Sequence, residues 1–200
     1  MSEADGVGVV LGTCAADVVE LAALRGRARE LESLAIERGA QLAPFGGCTL
    51  MQGQISLAIR PQRWLLLTAP VAAAPAASLW QGACSGIGAA VDLSSALTVF
   101  HLAGSAARAV LARGCRLDLH PDVFPCWRAA ATPIAQVAVI LASLASGWLL
   151  LAPATTARHF HEWLASAAQP FGLRSTQHSS LETLVLGGAA AAARAVRMSP

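Results

Sequence analysis

The chain contains no lysine and no tyrosine, and charged residues fill only 13% of its 200 positions. All 14 basic residues are therefore arginines, and with 12 acidic residues they leave a net charge of +2. The arginines are scattered, so the basic stripe of a nucleic-acid binder is missing and no nucleic-acid partner is expected. Five cysteines (Cys14, Cys48, Cys84, Cys115 and Cys126) are odd in number and form no C-x-x-C pair. Neither a zinc knuckle nor a disulfide framework is encoded. The thiols read as buried and reduced, which suits the cytoplasm. No G-x-G-x-x-G opens a helix after a strand, so the dinucleotide cradle is absent as well. The opening residues, Met1 to Asp5, lack the basic and apolar regions of a secretory leader.

Apolar residues are abundant instead. They make up 55% of the chain, alanine alone supplies 44 residues, and the mean hydropathy is +0.55. That excludes a disordered chain, and a chain of this length buries about 70% of its unfolded surface without staples. Two stretches, 64–91 and 129–157, carry no charge at all, and each exceeds the ~20 residues of a spanning helix. Both are interrupted by proline and glycine, among them Pro70, Pro75, Gly82, Pro133, Gly147 and Pro153. They read as buried strands and turns, so no membrane span is expected. So apolar a composition also implies an outer surface partly covered by a partner.

The pattern predicts a lead-in over 1–17, one α+β domain over 18–174, and an Ala/Gly-rich tail over 175–200. Within the domain, 18–24 reads as a strand and 25–38 as an amphipathic helix stopped by Gly39. Ile55, Leu57 and Ile59 alternate with Ser56 and Ala58, and Arg60-Pro61-Gln62-Arg63 turns the chain into a second arm at 64–68. A helix over 72–84 and a strand over 89–93 follow. The second half repeats this order: a strand at 98–102, a helix from 104 to 113 with Ser105 as N-cap, and an extended 115–119. A hairpin over 134–151 comes next, then a helix capped by Thr155 or Thr156 with Phe160, Trp163, Leu164 and Ala167 on its apolar face. Helices segregated from antiparallel strands define an α+β class, in two β-α-β-β-α-β-like halves.

The densest polar cluster is Arg113-Gly114-Cys115-Arg116-Leu117-Asp118-Leu119-His120-Pro121-Asp122. Cys115 could serve as a nucleophile there, favoured by Arg113 and Arg116 with His120 as base. Alternation opposes this, because it puts Cys115, Leu117 and Leu119 on one face and Arg116, Asp118 and His120 on the other. His159 and His161 lie two apart, not at the i, i+4 spacing of helical metal ligands, and His101 is alone in a strand. Asp92-Leu93-Ser94-Ser95 reads as a turn cap. No catalytic set, cofactor site or metal site is assigned. The exposed side of the cluster, Arg116, Asp118, His120 and Asp122, together with Trp127 and Arg128, is the expected partner interface, since interfaces favour Arg and Trp anchors in a polar ring.

The order of several motifs resembles the gamma (small) subunit of heterotetrameric sarcosine oxidase. These are Arg60-Pro61-Gln62-Arg63-Trp64-Leu65-Leu66, Val91-Asp92-Leu93-Ser94, Leu102-Ala103-Gly104 with Ala107-Arg108, the run from Arg113 to Pro125, Thr132-Pro133-Ile134-Ala135-Gln136-Val137 and Trp163-Leu164. The resemblance implies a fold like the folate-binding domain of the glycine-cleavage aminomethyltransferase. It further implies alpha, beta and delta partner subunits that hold FAD, FMN and NAD, with tetrahydrofolate as co-substrate. The implied reaction is the oxidative demethylation of sarcosine to glycine, with formaldehyde or methylenetetrahydrofolate and hydrogen peroxide as co-products. The gamma subunit of that family is not known to supply catalytic residues. Departures at Cys126-Trp127-Arg128, Ala154-Thr155 and Ala145-Ser146-Gly147 bear on the amine and the partner surface, and a subunit of an N-methylglutamate dehydrogenase stays open. So does a free-standing folate-binding protein of the same fold. An iron–sulfur assembly protein would need Gly-Gln-Glu after its K-G-C-[FY]-x, and Arg116-Leu117-Asp118 departs from that motif.

Overall fold

A computed structural model describes residues 8–70 and 75–181. Two sheets stack face to face, and each carries two helices on its outer side. The chain enters through β1 (Val9–Ala15) and crosses to β2 (Asp17–Ala23), then α1 (Ala28–Glu37). A meander of β3 (Cys48–Met51), β4 (Gln54–Arg60) and β5 (Arg63–Thr68) leads to α2 (Ala76–Ala83) and β6 (Gly88–Asp92). The second half opens with β7 (Leu97–Ala103) and α3 (Ala107–Ala112). Its own meander, β8 (Ala129–Ile134), β9 (Val137–Leu144) and β10 (Gly147–Pro153), precedes α4 (Ala157–Ala168) and β11 (Leu173–Ser180).

The two halves are the same motif written twice. The first sheet orders its strands β3-β4-β5-β2-β6, and the second orders them β8-β9-β10-β7-β1-β11. Strand for strand these correspond, except that β1 slips between β7 and β11, antiparallel to the former and parallel to the latter. The interior divides accordingly. Val18, Ile55, Leu57, Leu65, Leu67, Leu149 and Leu151 fill the space between the sheets. Val19, Leu21, Leu66 and Trp64 pack under α1 and α2, while Phe100, Leu102, Leu141 and Leu150 pack under α3 and α4. A sheet covered on both faces has no solvent side, so its strands become continuous apolar runs. Polar–apolar alternation is absent from Trp64-Leu65-Leu66-Leu67 for this reason, since all four side chains are buried.

That architecture revises the reading of composition. Among the described residues the two charge-free stretches supply most of β5, β6, β8, β9 and β10 and the single helix α2, and no helix is long and apolar enough to cross a membrane. Much of the hydropathy is consumed by two doubly covered sheets, so composition alone does not require a covered outer surface. Several elements also differ from expectation. The lead-in at 1–17 contains β1, whose Gly12 and lack of polar–apolar alternation hid it, and the tail from 175 contributes the polar end of β11. Leu181 is buried between the sheets, and 182–200 lie outside the described residues. The expected hairpin over 134–151 is present as β9 and β10, but its first arm starts at Val137, and β8 adds a third strand before it, because Ile134 ends β8 and the chain turns at Ala135 and Gln136. Ser105 does not cap α3. The residue before that helix is Ala106, with no side-chain cap. Of the expected helix over 72–84, residues 72–74 lie outside the described residues, and α2 occupies Ala76–Ala83.

Candidate functional site

Between α3 and β8 the chain passes through 113–128, held by its inward side chains. Leu119 and Phe124 are buried in the helix-side core, and Phe124 lies 5.8 Å from the Trp148 ring. Cys115 and Leu117 are half-buried against the same core, while Arg116, Asp118, His120 and Asp122 are exposed. The alternation read from the sequence is therefore present. The polar side chains also shape the loop. Asp118 Oδ1 accepts the His120 amide at 2.8 Å, a local turn that short acidic side chains favour. The His120 carbonyl accepts the amides of Val123 and Phe124 at 3.0 and 2.7 Å. His120 Nδ1 lies 3.4 Å from both the Asp122 amide and its carboxylate.

No hydrogen bond joins Cys115 to His120, and the arginine beside them works elsewhere. Arg113 Nη1 donates to the Ala167 carbonyl at 3.2 Å, where a cation suits the C-terminal end of α4. Gly114 is needed for packing: a Cβ there would strike the Trp163 ring. The nucleophile arrangement is thus not assembled.

Trp127 and Arg128 stand apart from that polar row, at the corner where the two sheets meet. The Trp127 amide donates to the Ser143 carbonyl of β9 at 2.7 Å, and its own carbonyl accepts the Cys48 amide of β3 at 2.9 Å. Trp127 is locked at φ 70°, a region that disfavours bulky residues by roughly 1–2 kcal/mol. It nonetheless leaves 36% of its surface exposed. Gly47 bridges to Arg128, and the Arg128 guanidinium lies over Gly46, where a Cβ would stand 3.7 Å from Nη1. Phe45, in the same loop, is 67% exposed. Sequence reading missed Phe45, although Pro44-Phe45-Gly46-Gly47 carries a signal, an aromatic in a loop too short of partners to bury it.

Burial pushes the Cys14 thiol up to about 11 and the Cys48 thiol to about 12, the latter also raised by Cys126 nearby. Cys48 and Cys126 both point at the Ser143 carbonyl, at 3.7 and 3.9 Å. His101 is buried with its Nε2 3.1 Å from the Ser146 carbonyl, and burial lowers its pKa. His161 stacks on Phe100 at 6.1 Å, whereas His159 is exposed. Asp92 does cap its turn: its Oδ1 accepts the Ser94 amide and hydroxyl at 2.9 and 2.6 Å, which lowers its pKa. The same Ser94 hydroxyl accepts the Val18 amide at 3.0 Å, tying the turn to β2. Among the described residues no group of three His, Cys, Asp or Glu is placed to hold a metal.

Comparison with known proteins gives this geometry a context. The family model described as sarcosine oxidase, gamma subunit family, matches residues 37–169. The sarcosine oxidase subunit gamma of Corynebacterium sp. (strain P-1) is 33% identical over 122 residues, which span 60% of this chain and 60% of that relative. A chain of the heterotetrameric sarcosine oxidase from Corynebacterium sp. U-96, solved in complex with pyrrole 2-carboxylate, superposes with a TM-score of 0.73 at 27% identity. The superposition covers 86% of this chain and 90% of that one. The glycine cleavage system aminomethyltransferase T from Bartonella henselae shares the fold, with a TM-score of 0.64 at 15% identity over 85% of this chain and 48% of that one. The doubled α+β sandwich is thus the aminomethyltransferase-type fold, and the chain belongs to the sarcosine oxidase gamma subunit family.

Proposed function

We propose that this chain is the non-catalytic gamma subunit of a cytoplasmic heterotetrameric flavoenzyme that oxidatively demethylates sarcosine to glycine. In this reading the alpha, beta and delta subunits carry FAD, FMN and NAD. Formaldehyde or methylenetetrahydrofolate and hydrogen peroxide leave as co-products, with tetrahydrofolate as co-substrate. The observation that carries the reading is the likeness along 86% of the chain to one chain of a heterotetrameric sarcosine oxidase. The chemistry of the described residues fits a scaffolding role. Cys14 and Cys48 are held as thiols by burial, and the Arg113–Asp122 cluster uses its polar groups to shape a loop and cap a helix.

The corner at Trp127 and Arg128 is the proposed anchor, and the exposed row of Arg116, Asp118, His120 and Asp122 is a second proposed contact. A tryptophan kept in the left-handed region yet left partly exposed is an unfavourable arrangement for a free surface. Such strain is compatible with a role in binding, where buried Trp and Arg dominate. The test is co-expression with the alpha, beta and delta subunits of a heterotetrameric sarcosine oxidase, followed by purification and assay with sarcosine. The assembly should retain the chain and produce hydrogen peroxide from sarcosine. Trp127→Ala should weaken retention by about 2 kcal/mol, while the isolated variant keeps its fold. A wild-type chain that stays free of those subunits refutes the reading. An assembly that oxidises N-methylglutamate and ignores sarcosine transfers it to the related dehydrogenase.

A further inference from the structure

The two sheets do not cover each other to their ends. β4 and β5 turn back at Pro61 and Gln62, so the first sheet stops at Arg60 and Arg63. β8 and β9 run on to the turn at Ala135 and Gln136. Past that point the inner face of the second sheet is uncovered. Its register places Ala131 beside Ile140 and Pro133 beside Ala138, and Ala131, Pro133 and Ala138 are exposed while Ile140 is half-buried. Their neighbours Thr132, Ile134, Val137 and Val139 point the other way and are buried.

The result is a trough of about 490 Å³, with Pro133, Ala138, Ile140, Leu151 and Pro153 along it and Ile59 and Leu97 at its side. It continues at both ends. At one end it shares Arg60, Leu97 and Ile140 with a cleft of 180 Å³ that reaches Arg63 and Glu20. At the other it shares Pro133 and Gln136 with a cleft of 230 Å³ lined by Arg116. The charge is one-sided. Glu20 is 3.3 Å from Arg63, whereas the Arg60 and Arg116 guanidinium groups make no ion pair among the described residues.

From this we infer that the trough receives an extended segment of a partner subunit, apolar along its middle and acidic at both ends. The inference rests on the proposed subunit role and adds the chemistry of what docks. Apolar surface from both sheets lines the middle, and a basic side chain without a carboxylate partner stands at each end, so acidic flanks are the complement. Docking is through side chains onto the sheet face and not by strand addition. Pro133, in the edge strand β8, has no amide hydrogen to offer a further strand.

The test uses the co-expressed assembly. Ala138→Arg fills the trough, and Arg60→Glu with Arg116→Glu reverses both ends, while Arg29→Glu on α1 serves as control. All of these side chains are exposed, so the isolated variants should melt with the wild-type chain. Each trough variant should lower the partner retained by roughly ten-fold or more, the control should not, and the loss from charge reversal should shrink in high salt. Backbone amides over 129–140 should exchange more slowly in the assembly than in the chain alone. Trough variants that retain partner fully, with unchanged exchange over 129–140, overturn the inference and leave the subunit role standing. A wild-type chain that never assembles removes both. Self-association of the isolated chain abolished by Ala138→Arg would make the occupant a second copy and overturn the inference as well.

Discussion

His101 sits in the middle of β7 with its side chain between the sheets, beside the Ser146 carbonyl, and burial holds its pKa below the usual 6.5. Between the lowered folded value and 6.5 the unfolded chain binds more protons than the folded one, so stability falls as pH drops through that window. Chemical denaturation at about pH 7.5 and about pH 5 should show a lower midpoint at the acid end, and His101→Gln should narrow that difference. An unchanged difference in the variant would assign the acid sensitivity to other groups. The thiols obey the same physics in the other direction: with the Cys48 pKa pushed up to about 12, it remains a thiol over the whole working range.

At the scale of elements, the β8–β9 turn is the least comfortable piece of the second meander. Ala135 and Gln136 both have positive φ, 49° and 66°, the geometry of a two-residue hairpin turn that favours Asn-Gly. Replacing the pair, Ala135→Asn with Gln136→Gly, should stabilise the fold by about 1 kcal/mol, read as a raised denaturation midpoint. A neutral or lower midpoint would mean that the turn is held by contacts of Ala135 and Gln136 that the backbone angles do not reveal. The same turn shows why parts of the fold were legible in sequence and parts were not. Gly39, at φ 75° behind α1, and Pro61 in the β4–β5 turn announce their breaks. Ala135-Gln136 announces nothing, so Ile134 reads as continuous with the strand that follows. β3 spans only Cys48–Met51, and the alanines of β8 carry little strand preference, so both emerge only from pairing with β4 and β9. The loop at 113–128 was legible because its alternation is regular, whereas the trough was not. It arises where strands far apart in sequence end at different heights.

For the whole molecule, doubling one motif accounts for both the fold and the composition. Two sheets share one core and each keeps a second under its helices, so a 200-residue chain contains three apolar layers and needs few charges. The doubled sandwich carries polar side chains that shape turns and cap a helix, an aromatic–arginine corner at Trp127 and Arg128, and a basic-ended trough. The fold is of the aminomethyltransferase type, and the corner and the trough are the surfaces proposed to act within an assembly. The most direct test of that account is the native mass of the sarcosine-oxidising fraction after co-expression. The account predicts a single species of four different chains containing one copy of this 20.5 kDa chain. A sarcosine-oxidising species that lacks the chain, with the 20.5 kDa chain recovered free, would contradict it.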